Sequence, residues 1–287
     1  MQNLTTEDGL SLHLRTWYHR GDTAPRGTVL VVHGLGEHIG RYEALAQRLN
    51  QAGWNVVGYD HRGHGASEGR RGDMPDAQAL LRDLARVIDA IGTDARLKAG
   101  RLVLLGHSMG GLVAARFVAG GLTASAAGVL PSWFRPVDGL VLSSPALAVA
   151  MNGLQRLMLF VGGKLAPHLA ANNGLNAQWI SRDPEVVRAY RADPLVHDRI
   201  TPTLAKFIID AGHLVRRLAP DWIVPTLLLW GGADRCVVPA GNEEFAAAAP
   251  ATLVRSHGFE PLAHEIFNEP ERAQVFDEVE AWLNTVF

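Results

Sequence analysis

Gly106-His107-Ser108-Met109-Gly110-Gly111 is the stretch that decides the fold. The run before it, Leu102 to Leu105, is short and apolar, as a buried strand is, and Gly110 to Ala119 behind it reads as a helix. A G-x-S-x-G string alone arises by chance; between a strand and a helix it describes a sharp turn. Such a turn strains the backbone of its central residue, so the positions two before and two after must be small. It lifts the Ser108 hydroxyl clear of the chain and aims the free N–H groups of the helix N-terminus at a developing oxyanion. Ser108 is therefore read as a nucleophile. The bland alternative is a Gly-Ser turn ahead of a helix.

A serine hydroxyl needs a base, and the base needs an orienting acid. Where such an elbow is used, the acid and then the histidine follow the serine along the chain. Asp234 follows the strand Leu227–Trp230 through Gly231-Gly232-Ala233, at the carboxyl edge where catalytic loops gather. The other position for an acid, after the strand Leu140–Leu142, holds Ser143-Ser144-Pro145 and offers none. Beyond Asp234 lie two histidines, His257 and His264. His264, in the loop before the final helix, is preferred over His257, which sits at the end of the last strand. An oxyanion hole takes one N–H from the residue after the nucleophile, Met109. The other comes from a loop after an earlier strand, here Leu35 in His33-Gly34-Leu35-Gly36.

Outward from these loops the chain alternates. Thr28–Val32 and Asn55–Tyr59 are apolar, β-branched runs; Arg41 to Asn50, Asp76 to Ile91 and Glu271 to Leu283 carry helical spacing; Thr252–Val254 reads as the last strand. Asp8-Gly9 ahead of Ser11 to Tyr18 marks an N-terminal hairpin. Alternation of this kind means βαβ crossovers and a mostly parallel sheet with helices on both faces. From Ala146 to about Ala219 no strand is read, only helical segments broken by Pro and Gly. The expected organisation is a core of residues 1–145 and 220–287 with a helical cap insertion, 146–219. Within the insertion, Leu154 to Val161 crowds apolar side chains into a short segment whose only charges are Arg156 and Lys164. It either roofs the pocket or lies at a membrane surface.

The 287 residues are 47% hydrophobic and 20% charged, with a formal net charge of −2, which gives no reason to expect nucleic-acid binding. A single cysteine, Cys236, excludes an intramolecular disulfide. No signal peptide and no apolar run long enough to span a bilayer is read, so a cytoplasmic protein is expected, with peripheral membrane contact if the insertion lies at a surface. The spacings of the twelve histidines fit no metal motif, and no G-x-G-x-x-G follows a strand; neither metal nor cofactor is expected.

His33-Gly34-Leu35-Gly36-Glu37-His38 resembles the HGxGEH segment of the monoacylglycerol lipase and lysophospholipase family of α/β-hydrolases. Tyr59 to Ser67, Gly106 to Gly111, Asp234 and His264-Glu265-Ile266-Phe267-Asn268-Glu269-Pro270 agree with the same family. The resemblance spans nearly the whole chain, including Ser181 to Val187. It implies an eight-stranded α/β-hydrolase sheet with a helical cap, and cofactor-free hydrolysis of a small lipid-like ester such as a monoacylglycerol or lysophospholipid. Carried over by position, the triad is Ser108, Asp234 and His264, with Leu35 and Met109 as the oxyanion hole. Other readings on this scaffold are amide or peptide hydrolysis, and a ligand-binding relative without catalysis. Two stretches depart from the family: the connection Gly258–Ala263 ahead of His264 is longer than usual, and Leu122 to Arg135 looks like an added loop.

Overall fold

The chain opens with an antiparallel hairpin, β1 (Asn3–Thr5) and β2 (Ser11–Trp17), turned through Gly9 at a positive φ of 90°. The computed structural model describes residues 3–287, and the side chains of all of these except residues 124–127. β3 (Gly27–Val32) and β4 (Asn55–Tyr59) are buried at every residue, as apolar runs without alternation must be when both faces of a sheet are covered. Helix α1 (Glu43–Gln51) lies between them in sequence. Helix α2 (Ala79–Thr93), strand β5 (Arg101–His107), helix α3 (Met109–Ala127) and strand β6 (Gly139–Ser143) follow.

Beyond β6 come α4 (Gly153–Leu165), β7 (Ala171–Asn172), α5 (Pro184–Ala192), β8 (Arg199–Ile200) and α6 (Pro202–Arg217). Here β7 and β8 form a two-stranded antiparallel ribbon where no strand was read; two residues each is too short for any periodicity to register. Strand β9 (Thr226–Gly231), helix α7 (Pro239–Ala248), strand β10 (Val254–Phe259) and helix α8 (Arg272–Val286) complete the chain.

The sheet has eight strands in the order β1-β2-β4-β3-β5-β6-β9-β10, parallel from β4 to β10 and antiparallel at β2. The strand order reverses direction at β5, where β3 lies on one side and β6 on the other. Such a switch opens a crevice at the carboxyl end of the strand, and Ser108 stands there. Two apolar clusters cover the faces: α2, α3 and α6 on one, α1 and α8 on the other. Helix α3 is buried on all sides near its start, through Leu112, Val113, Ala115 and Phe117, because α6 covers the flank that the sheet leaves open.

Two boundaries differ from the sequence reading. The last strand is Val254–Phe259, not Thr252–Val254: as an edge strand it exposes Arg255, Ser256 and His257, so its polar residues hide it from a search for apolar runs. The stretch read as an added loop is half helix. α3 runs on to Ala127, and the remainder hooks back so that Trp133 is buried against Phe117, with ring centroids 5.5 Å apart. A Cβ on Gly120 would lie 2.6 Å from the Trp133 ring, so the glycine makes room for the hook.

Candidate active site

Ser108 has φ of 53°, in the left-handed region that strains a residue with a side chain. The turn closes only because its neighbours are glycine. A Cβ on Gly106 would lie 2.6 Å from the Gly110 carbonyl oxygen, and one on Gly110 would lie 2.1 Å from the Val32 carbonyl oxygen. The strain is held by bonds on both sides: Ser108 N–H donates to the Ser143 carbonyl (2.9 Å), and the Ser108 carbonyl accepts from Leu112 and Ala146 N–H (3.0 Å each).

Three side chains meet at this turn. Ser108 Oγ lies 2.9 Å from His264 Nε2, and His264 Nδ1 lies 2.7 Å from Asp234 Oδ2. With Nδ1–H donating to the carboxylate, Nε2 is free to accept the serine proton. The other oxygen of Asp234 accepts from Cys236 N–H (2.8 Å) and Val237 N–H (3.1 Å), so the residue also makes an Asx turn. The lengthened connection does not divert His264. Leu262 N–H bonds back to the Phe259 carbonyl (3.0 Å) and the Leu262 carbonyl accepts from Ala233 N–H (3.0 Å), folding the extra residues beside the end of β9. His257 is elsewhere: half-exposed on β10, it stacks on Phe259 at 4.2 Å and faces Glu278.

Burial opposes the charged form of His264, but the Asp234 carboxylate and its hydrogen bond outweigh burial, raising the pKa above the ordinary 6.5. Its neighbour His107, 4.7 Å away between ring centroids, is pushed down to about 4 by burial and by the charge of His264. One imidazole of the pair is thus held above its ordinary pKa, and the other stays neutral. Leu35 and Met109 flank Ser108, and among the described residues neither backbone N–H has a hydrogen-bond acceptor. Both donors are thereby available to an oxyanion. Cys236 lines the same space, its thiol pKa pushed up by burial and by the Asp234 charge, as suits a packing role rather than a thiolate.

Sequence reasoning gave no role to Glu37, Arg41 and Glu265, which form a buried ion cage under the site. Glu37 Oε1 accepts from Gly34 N–H (2.6 Å) and Tyr42 O–H (2.7 Å), while Oε2 accepts from Arg41 (2.9 Å). Arg41 grips Glu265, the residue after His264, with both terminal nitrogens (2.5 and 2.6 Å), and its guanidinium lies over the Tyr190 ring of α5. Burial alone would raise the Glu37 pKa; Arg41, His107, His33 and the tyrosine hold it at about 2. The cage ties the loop of Leu35 to the loop of His264. Only the i,i+4 spacing of Glu37 and Arg41 signalled it in sequence. Asp60, His61 and His64 are buried and hydrogen-bonded to neighbouring backbone. Asp60 accepts from Ile39 N–H (2.7 Å) and Ala66 N–H (2.8 Å), and His61 N–H donates to His33 Nε2 (2.9 Å).

Two chambers meet at Ser108. One, about 550 Å³, is lined by Met109, Val149, Met158, Leu159, Ile208 and Ile209 among others, with no charged side chain among the described residues. The other, about 390 Å³, is polar, with Glu37, Arg191, Asp193, His197 and Glu265 in its walls. Elbow, sheet order and flanking helices are those of an α/β-hydrolase. A family model described as "Serine aminopeptidase, S33" matches residues 23–271. The chain belongs to that family. Within the family it is similar to the monoacylglycerol lipase of Mycolicibacterium smegmatis, at 37% identity over 266 residues, 91% of this chain and 89% of that protein. The monoglyceride lipase of Homo sapiens is 31% identical over 99% of this chain and 90% of its own length. The crystal structure of Paleococcus ferrophilus monoacylglycerol lipase superposes with a TM-score of 0.81 at 32% identity, covering 96% of this chain and 99% of that one. The resemblance drawn from the motifs therefore holds, and the chain is a carboxylic-ester hydrolase of the serine type.

Proposed function

We propose that the enzyme hydrolyses monoacylglycerols, and that Ser108, His264 and Asp234 carry the chemistry. Ser108 Oγ attacks the ester carbonyl as its proton passes to His264 Nε2, and Asp234 stabilises the imidazolium. The oxyanion is received by the N–H groups of Leu35 and Met109. His264 then protonates the departing glycerol oxygen, leaving the acyl group on Ser108. Water, deprotonated by His264, attacks that acyl-enzyme and releases the fatty acid.

The pair of chambers supports this reading. An acyl chain fits the uncharged one, where each buried methylene contributes roughly 0.8 kcal/mol, and a glycerol fits the polar one. Peptide hydrolysis, which the family description admits, would need a carboxylate in the acyl-side chamber to receive an α-ammonium group; among its described lining residues there is none. A series of p-nitrophenyl esters against aminoacyl-anilides tests the assignment. Turnover should favour long acyl chains over acetate, and faster cleavage of the anilides would refute it.

Residues 146–219 are proposed as the cap, with α6 anchoring it to the core. Helix α4 buries none of its residues and divides its surface into stripes. Gln155, Met158 and Gly162 line the acyl chamber. Leu154, Leu157 and Leu165 instead stand 66%, 58% and 82% exposed. No helix among the described residues is long and apolar enough to cross a membrane. A leucine stripe of this kind suits a helix lying in the headgroup boundary. Leu157→Ser with Leu165→Ser should reduce sedimentation with liposomes and leave hydrolysis of a soluble ester unchanged. Wild-type protein that stays in the supernatant at high lipid would reduce the cap to a roof.

A further inference from the structure

Helix α4 carries a third stripe. Arg156, Leu159, Phe160, Gly163 and Lys164, spaced i, i+3, i+4, i+7 and i+8, face α6 across a groove of about 670 Å³. Its inner wall is apolar and shared: Leu159, Ile208 and Ile209 line both this groove and the acyl chamber. Its rim is cationic. α4 contributes Arg156 and Lys164, α6 contributes Lys206 and Arg216, and Asp210 is the one carboxylate among the described lining residues. Asp210 is taken by Lys206, and Arg216 is paired with Glu244 outside the groove while its Nε is buried without a hydrogen-bond partner. Among the described residues Arg156 and Lys164 have no ion pair; the Lys164 ammonium rests 4.2 Å from the Phe160 ring centroid.

An apolar wall under an excess of cations selects an occupant with one alkyl chain and an anionic head. We propose that the groove binds the long-chain fatty-acid anion, the acid that the reaction releases on the other side of the shared wall. The alkyl chain lies along Leu159, Ile208 and Ile209, and the carboxylate pairs with the α4 cations of the rim. The shared wall makes the groove a holding place for product next to the chamber that formed it. This inference rests on the reading that Ser108 cleaves a long-chain ester, the reaction that releases the anion beside the groove.

The test uses the full chain with Ser108 covalently capped by a long-chain alkyl fluorophosphonate, so that the acyl chamber is filled. Titration with monomeric oleate should show about one equivalent bound, and oleyl alcohol, with the same tail and no charge, should bind about tenfold more weakly. Arg156→Gln with Lys164→Gln should weaken oleate by about tenfold, while the uncapped double variant cleaves p-nitrophenyl acetate at the wild-type rate. Absence of oleate binding, equal binding of the alcohol, or an unaffected double variant overturns the proposal. So does a result in which the two cations alter only sedimentation with phosphatidylglycerol vesicles, since that assigns them to a membrane. Failure of oleate binding with long-chain ester preference retained removes the groove alone; loss of that preference removes the reading of the chambers.

Discussion

Replacing Arg41 with methionine should expose what the ion cage beneath the site is worth. The three side chains are almost out of water: Arg41 is 11% exposed, Glu37 5% and Glu265 6%. Solvent screening is therefore weak, and removing the shared cation strands two buried carboxylates. Breaking a buried pair in this way costs about 3–5 kcal/mol. For a chain of this size about 1 kcal/mol corresponds to roughly 2–4 °C in Tm, so the fall should be roughly 6–20 °C. The sign of its pH dependence is specific. In the wild type the Glu37 pKa is depressed to about 2, so its contribution is fully present above the ordinary 4.5 and is lost as pH falls toward 2. In the variant, burial without a counter-charge raises the carboxylate pKa. The variant is then penalised increasingly as pH rises through that raised value. Reversible urea unfolding of both proteins at pH 5 and pH 8 should show the larger deficit at pH 8. Arg41→Lys, which keeps the charge and loses the fork that grips Glu265, should fall between them. A loss under about 1 kcal/mol, or one equal at both pH values, would show that the cage does not hold the two loops.

Ser108→Ala should abolish turnover, on the order of 10⁶-fold in kcat, with no change in Tm; a tenth of wild-type activity remaining would remove Ser108 from its role. His264→Ala should be nearly as damaging and His257→Ala mild, since the latter lies half-exposed on the edge strand; the reverse ranking would refute the geometry read here. Because the base must be neutral and its pKa is raised, kcat/KM should climb through an inflection above 6.5, and a flat profile between pH 5 and 8 would contradict that. Trp133→Ala should lower stability by about 3–5 kcal/mol through the cavity it leaves, with kcat unaltered; an unchanged Tm would mean that the hook does not pack on α3.

The elbow was legible because everything it needs is local. A strand, two glycines, a serine and a helix occupy adjacent positions, and the strain on Ser108 follows from that order. Asp234 and His264 could be found by their place after strands, since a parallel sheet gathers those loops at one edge. The ion cage was not legible, for Arg41 and Glu265 meet only after the sheet has closed. The bounds of strand β10 were misplaced because an edge strand is allowed polar residues that a central one is not. The hook of Trp133 looked like an insertion without purpose, since nothing in the string shows that Gly120 leaves a place for its ring.

Helix α4 stands between two hollows and contributes nothing of itself to either apolar core. It is held to the rest of the protein by its packing on α6, and each alkyl chain that enters the spaces beside it adds contacts to that attachment. Binding energy spent there appears as local stability, so occupancy and order in this part of the molecule are thermodynamically linked. Amide exchange in α4 is then expected to slow as lipid fills the spaces on either side of it.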